Sequence, residues 1–349
     1  MGRAAVISRG LGRVLHAPRV EAVPEGRVVE LPGRGRTFVV DVPGPPGAPV
    51  LVLLHALGCT GYLSWYPVIA RLAEDHRVVV LDQRWHGRGI RSERFSLEDC
   101  ADDVVALLDV LGVERCVPVG YSMGGAVAQL VWQRHPQRVE GLVLCATARN
   151  FRGTAKEKLF FPAVGAVLRP LTRYSRERVT RLADALPDLP TTTSHDPQWG
   201  LAQFRSTSAW TMPHVLDALG RFDSSSWIGS VDVPTAVVAM GKDHTIPVRR
   251  QHRLAASIPG ADVVEVDAGH AGLVLSAGRF GPALDAALAS VRARLAPAAP
   301  PVEAPAVEAP TVEARPRRVR RSRAELPALP EPRLAEVSPR TVRRPRATG

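Results

Sequence analysis

A serine set among glycines constrains this chain more than any other feature. Cys116-Val117-Pro118-Val119 has strand character and Ala126 to His135 has helical character. Between them lies Gly120-Tyr121-Ser122-Met123-Gly124, with a further glycine at 125. A strand that turns into a helix over so few residues strains the backbone of the central serine, and only small residues two before and two after it avoid a clash. The strain lifts the hydroxyl above the sheet and sets it at a helix N-terminus, where backbone N–H groups can hold an anion. The surrounding chain must therefore supply a sheet with helices packed on it.

The rest of the sequence reads that way. Val28 to Leu31 and Thr37 to Val40 flank the turn Pro32-Gly33-Arg34-Gly35, the pattern of a hairpin. Strand patterns at 50–54, 77–81, 116–120 and 141–145 then alternate with helical patterns at 65–74 and 97–111. This is the signature of a doubly wound, mostly parallel sheet. Ser96 is placed to cap the second of these helices, with Glu98 and Asp99 near its positive end. Strand patterns return at 235–240 and 262–266, for about eight strands in all, and a helix from Ala271 to Leu295 closes the body. Residues 147–230 lack clear strands, and their helical patterns are broken by Pro162, Pro170, Pro187 and Pro190. An insertion of this length after the sixth strand reads as a helical cap or lid. Within it, Phe160 and Phe161 are the candidates for lining a substrate pocket, and Trp199, Phe204, Trp210 and Met212 form a second apolar stretch.

A serine hydroxyl is a poor nucleophile near neutral pH unless a base takes its proton and an acid orients that base. Thr235 to Met240 reads as a buried strand ending in Gly241-Lys242-Asp243, and Asp262 to Val266 as the next strand, ending in Asp267-Ala268-Gly269-His270. Asp243 and His270 thus follow strand ends, where open α/β sheets gather their functional groups. The expected arrangement is Ser122 as nucleophile, His270 as general base and then acid, and Asp243 as its orienter. Stabilising the charge that develops on the attacked carbonyl takes backbone donors. Met123 N–H is the first candidate. Leu57 N–H, in the loop after strand 50–54, is the second, with Ala56 its neighbour. Tyr121, beside the serine, either borders the pocket or packs in the core.

With these residues in place, the chain resembles α/β-hydrolases of the esterase, lipase and peroxidase kind over roughly residues 27–295. His55-Ala56-Leu57-Gly58 with Trp65 is similar to the H-G-x-G…W stretch of that family, and Asp82 to Gly89 resembles its D-x-R-G-H-G-x-S loop. Ala56 and Trp85 stand where glycine is usual, and Gly89 where serine is common. The resemblance implies the α/β-hydrolase fold and a serine hydrolase that cleaves a carboxylic ester through an acyl-enzyme, without cofactor or metal. A serine nucleophile argues against the branches that attack with a carboxylate. The same site also suits acyl transfer, C–C hydrolysis or cofactor-free perhydrolysis. A non-catalytic binding protein on this fold is a third reading, whose expected sign is a damaged Ser-Asp-His set.

Composition adds the outer bounds. The 349 residues carry a formal net charge of +11, but only Lys156, Lys158 and Lys242 are lysines, so 42 of the 45 basic residues are arginines. Alongside abundant Ala, Val, Pro and Gly, this fits a coding bias better than a nucleic-acid surface, and no nucleic-acid partner is expected for the core. Residues 296–349 read as a disordered Pro/Ala/Arg-rich tail, with three imperfect Val-Glu-Ala repeats and the arginine run 315–323. A weak anionic partner or plain solvent is its expected neighbour. Residues 1–26 read as an N-terminal extension. Four cysteines without metal spacing, and no apolar stretch of transmembrane length, fit a cytoplasmic enzyme acting on a small-molecule ester.

Overall fold

The computed structural model describes residues 23–152 and 211–295, together with Trp199, Gln203, Ser206 and Thr207. Phe160, Phe161, Phe204, Trp210, most of the N-terminal extension and the tail lie outside the described residues.

Eight strands form one sheet: β1 (Gly26–Leu31), β2 (Gly35–Val42), β3 (Val50–Leu54), β4 (Arg77–Leu81), β5 (Val117–Tyr121), β6 (Leu142–Cys145), β7 (Thr235–Met240) and β8 (Asp262–Val266). Their order is β1-β2-β4-β3-β5-β6-β7-β8. β1 pairs antiparallel with β2 and β2 with β4, and every later pairing is parallel. From β3 the chain moves outward to β4, then crosses back to β5 on the other side and continues to β8. The carboxyl ends of β3 and β5 therefore adjoin at the point where the winding reverses, with Leu54 opposite Gly120. Ligand crevices open at such a point in sheets of this kind.

Period-two burial explains why the sheet needs helices on both faces. Val52, Leu54, Val79, Leu81 and Leu144 face one core, covered by α3 (Leu97–Val110), α4 (Met123–Arg134) and α6 (Val248–Ala256). Leu51, Leu53, Val78, Val119 and Val143 face the other, covered by α1 (Gly61–Trp65), α2 (Ile69–Leu72) and α8 (Ala277–Arg294). α5 (Met212–Arg221) precedes β7, and α7 (Gly272–Leu275) lies just before α8. Among the described residues no helix is long and apolar enough to cross a membrane.

Three helices depart from the sequence expectation. The helix expected over 65–74 is two short ones. Thr60 starts the first by accepting from Leu63 N–H at 3.0 Å, and Pro67, which has no N–H to donate, separates them. α4 begins at Met123 rather than Ala126, directly after the serine. The closing helix is broken at Ser276, whose φ of −133° and ψ of 36° are not helical.

The described ends of the segment between β6 and β7 meet each other. Asn150 forms an antiparallel bridge with Asp223, and Ser224 N–H donates to Arg149 O at 2.7 Å. This pinch returns the chain beside the carboxyl end of the sheet.

Candidate active site

Ser122 is the hinge between β5 and α4, with φ 55° and ψ −113°. Non-glycine residues avoid that region, at a cost of about 1–3 kcal/mol. The turn survives because its neighbours leave no other conformation. A Cβ at Gly120 would strike the carbonyl of Gly124, one at Gly124 would strike the carbonyl of Leu54, and one at Gly125 would lie 2.5 Å from Thr147 Cγ2. Ser122 N–H donates to Cys145 O at 2.9 Å, and its own carbonyl accepts from Thr147 Oγ1 at 2.8 Å. The strain is held by β6 on one side and the following helix on the other.

Asp243 and His270 come to this serine from β7 and β8. His270 Nε2 lies 3.0 Å from Ser122 Oγ, and Nδ1 lies 2.7 Å from Asp243 Oδ2. Asp243 has a fully buried side chain, and its Oδ1 accepts from the N–H groups of Thr245 and Ile246, both at 2.8 Å. These bonds match the ionised, acceptor-only carboxylate. A carboxylate at Nδ1 fixes the proton there, which leaves the Nε2 lone pair facing the serine hydroxyl. Tyr121 O–H donates to the carbonyl of His270 at 2.7 Å, and burial pushes that phenol well above its ordinary range. It therefore braces the histidine loop while its ring borders the cavity.

Gln251 is the residue that sequence reasoning missed here. Its Nε2 donates to Asp243 Oδ2 at 3.2 Å and to Ile246 O at 2.7 Å, while its Oε1 accepts from Met240 N–H at 3.0 Å. One buried amide thus ties the acid to the end of its strand. No local signal marks it, because a glutamine on a helix is ordinary until its tertiary partners are known.

Of the two expected backbone donors, Met123 follows the serine directly and Leu57 lines the cavity into which the serine opens. Met123 occupies the first position of α4, where an N–H has no partner within the helix. Leu57 borders the same cavity from a turn in which Cys59 N–H donates to Ala56 O at 3.2 Å. Gly58 takes the positive φ of that turn, 76°, and Ala56 is not in the left-handed region. The alanine in place of glycine therefore meets no backbone penalty. Beneath the turn, buried His55 donates from Nδ1 to Ala56 O at 2.8 Å and accepts at Nε2 from Gln83 N–H at 2.9 Å. Gln83 Nε2 donates in turn to His55 O at 2.9 Å. Burial lowers His55 to about 4, so the ring is neutral and keeps both roles.

The loop after β4 supports this arrangement. Asp82 accepts from Gly61 N–H and Arg88 N–H, both at 2.8 Å, and buried His86 donates to Arg84 O at 2.8 Å. Trp85 carries the positive φ, 63°, at the position where glycine is usual. Its ring packs against Phe95 and His214, at centroid distances of 5.5 and 5.7 Å, and its Nε1 donates to Ser92 O. At Gly89, where serine is common, a Cβ would lie 2.6 Å from Asp82 O. Aromatic packing at one residue and crowding at the other account for both departures.

The Ser122–His270 pair opens into a cavity of about 370 Å³. Phe151, Leu216, Leu219, Ile246, Leu273 and Val274 give it apolar walls, broken by Cys59, Ser64, Thr245 and Arg250. The Arg250 guanidinium donates to both oxygens of Asn150, at 3.1 Å to the side chain. Phe151, Leu216 and Leu219 lie between β6 and β7 in the chain. The last two share a face of α5 at i, i+3 spacing. Among the described residues, no group of three or more His, Cys, Asp and Glu side chains is placed to hold a metal.

The family model of the alpha/beta hydrolase fold matches residues 49–277. The chain belongs to that family. It is 31% identical over 239 residues to the RutD protein of Serratia proteamaculans, which is named for carbamate hydrolysis, covering 65% of this chain and 85% of that one. It is 25% identical over 245 residues to 3-oxoadipate enol-lactonase 1 of Acinetobacter baylyi, covering 68% and 87%. A thermophilic esterase from Thermogutta terrifontis superposes with a TM-score of 0.58 at 25% identity, over 76% of this chain and 99% of that one. This alpha/beta hydrolase is thus a hydrolase by family, with the serine-centred geometry described above.

Proposed function

We propose that this alpha/beta hydrolase cleaves carboxylic esters, open-chain or cyclic, through an acyl-enzyme on Ser122. The observation that carries this reading is the chain Ser122 Oγ, His270, Asp243, at 3.0 and 2.7 Å, opening into an apolar cavity. Ser122 Oγ bonds to the ester carbonyl carbon as its proton passes to His270 Nε2. The charge on the carbonyl oxygen falls to the N–H groups of Met123 and Leu57, a type of contact whose loss costs about 10²–10³ in turnover. The imidazolium, held by Asp243, gives its proton to the leaving oxygen as the C–O bond breaks. Water then attacks the acyl-enzyme, passing one proton to His270. The carboxylic acid leaves as that proton returns to Ser122 Oγ, and the site is restored.

In this reading residues 147–230 form the cap, and Phe151, Leu216 and Leu219 shape the acyl side of the pocket. Phe160 and Phe161 remain its proposed substrate contacts. The enol-lactonase relative favours including cyclic esters, and the RutD relative favours including carbamates, whose carbonyl is open to the same attack. A panel of p-nitrophenyl esters, lactones and aryl carbamates, run with the protein and with Ser122→Ala, tests the proposal. Turnover of at least one class that vanishes in the variant is expected. Labelling of Ser122 by a fluorophosphonate with no turnover of any class would mean a different acceptor or bond.

A further inference from the structure

The turn that presents Leu57 N–H is held at its two ends by different parts of the chain. At its start, His55 is tied to the loop after β4, accepting from Gln83 N–H at 2.9 Å. At its far end, Thr60 is only 1% exposed, and its hydroxyl serves two partners. It accepts from Leu63 N–H at 3.0 Å, which starts α1, and donates to Gln203 Oε1 at 2.8 Å. A hydroxyl has one proton, so the bond to Gln203 fixes where it points. Gln203 is itself buried and stands 143 residues further along, between β6 and β7.

Neighbouring residues of the same stretch reach the same place. A Cβ added at Gly58, which carries the positive φ of the turn, would meet Met212 Sδ at 3.8 Å. Met212 and Leu57 pack against one hydrophobic core. Thr207 Oγ1 accepts from Gly87 N–H at 3.3 Å, and a Cβ at Gly87 would lie 2.7 Å from the Thr60 methyl. Trp199 packs against Tyr62 and Tyr66, at 6.3 and 5.5 Å between ring centroids. Of these contacts, the Gln203–Thr60 bond is the hydrogen bond that reaches the turn itself.

We infer that Gln203 is a positioning residue for the oxyanion site: through Thr60 it holds the turn where Leu57 N–H meets the charged oxygen. The inference rests on the ester-hydrolase reading. A backbone donor serves an oxyanion only within about 2.7–3.1 Å, so a turn that relaxes by a fraction of this loses transition-state stabilisation while substrate binding stays. The chain between β6 and β7 then has two tasks. Leu216 and Leu219 line the cavity, and Gln203 sets the donor.

The test uses the full chain and the variant Gln203→Met, which keeps the length of the side chain and removes the acceptor. Kinetics on p-nitrophenyl butanoate are set beside inhibition by a pentyl trifluoromethyl ketone. Ser122 Oγ adds to that carbonyl, and the resulting oxyanion lies against the backbone donors. Fluorophosphonate titration of Ser122, taken to completion, counts the sites in each protein, so that kcat refers to folded protein alone. Gln203→Met should lower kcat about tenfold and weaken the ketone by a similar factor, with KM changed less than about twofold. A role in folding alone would lower the melting temperature and leave kcat per site and the inhibition constant unmoved. That result would overturn the inference. So would a raised KM with the ketone unaffected, which would make Gln203 part of the substrate pocket instead. No labelling and no ester turnover in the unmodified chain would remove the ester-hydrolase reading beneath it. Should Gln203→Met fold poorly, Gln203→Asn withdraws the acceptor by one methylene and should show the same split between kcat and KM. Unchanged values there would equally overturn the inference.

Discussion

The strain at Ser122 is paid for by contacts that can be removed one at a time. Thr147 is the clearest of these, because its hydroxyl meets the serine carbonyl while its methyl leaves room for nothing larger than Gly125. Thr147→Val keeps the shape and removes the donor, leaving a buried carbonyl short of one bond. It should destabilise the protein by about 1–3 kcal/mol in urea unfolding and reduce turnover. A neutral effect on both would mean that the turn is held by its glycines alone. Asp243→Asn should leave the fold intact and lower turnover by a factor on the order of 10⁴, because the imidazole loses its oriented tautomer. A loss below about tenfold would place the orienting acid elsewhere. Ser122, Asp243 and His270 were legible in the sequence because each follows a strand pattern at the carboxyl end of the sheet, where few structural reasons place such groups. Gln251, Gln83 and Thr147 were not. Their roles depend on partners that only the folded sheet brings within bonding distance.

At the scale of elements, the strand runs were the most legible because buried parallel strands are short apolar blocks with sharp ends. β3, β4, β7 and β8 fall where their patterns begin and end. The helices around the site were harder, since Thr60 capping and Pro67 together split a stretch that reads as one helix. The loops after β3 and β4 carry a pH signature. Burial lowers His55 to about 4 and His86 to about 3, against 6.5 for the free side chain. The unfolded chain therefore binds more protons than the folded one between these values, and stability falls as pH drops below 6.5. Near pH 5, unfolding should take up about one proton at each histidine. His86→Gln should flatten the slope of stability against pH by about one proton over that range, in urea titrations at successive pH values. An unchanged slope would mean that His86 is charged in the folded protein. On α5, Leu219→Ala should enlarge the pocket and shift the preferred acyl length upward. Each methylene is worth roughly 0.8 kcal/mol until the pocket is full. An unaltered chain-length profile would remove this helix from the pocket wall.

For the whole molecule, one sheet explains why residues far apart in sequence meet. The reversal of winding between β3 and β5 opens the crevice, and the parallel pairs from β5 to β8 align four carboxyl ends on one side of it, of which those of β5, β7 and β8 lead to Ser122, Asp243 and His270. The family follows from that architecture and the matched residues 49–277. Chemistry follows from the side chains grafted onto it, since one fold hosts many reactions. The net charge of +11 says little about the site. The cavity beside Ser122 is mostly apolar, and its charged side chain, Arg250, is bonded to Asn150. The most direct measurement is intact-protein mass spectrometry after incubation with a fluorophosphonate, followed by peptide mapping, on the protein and on Ser122→Ala. The account predicts a single phosphonate adduct on the peptide carrying Ser122, absent from a variant that keeps its melting transition and loses its ester turnover. An adduct on another residue, or turnover that survives Ser122→Ala, would contradict it.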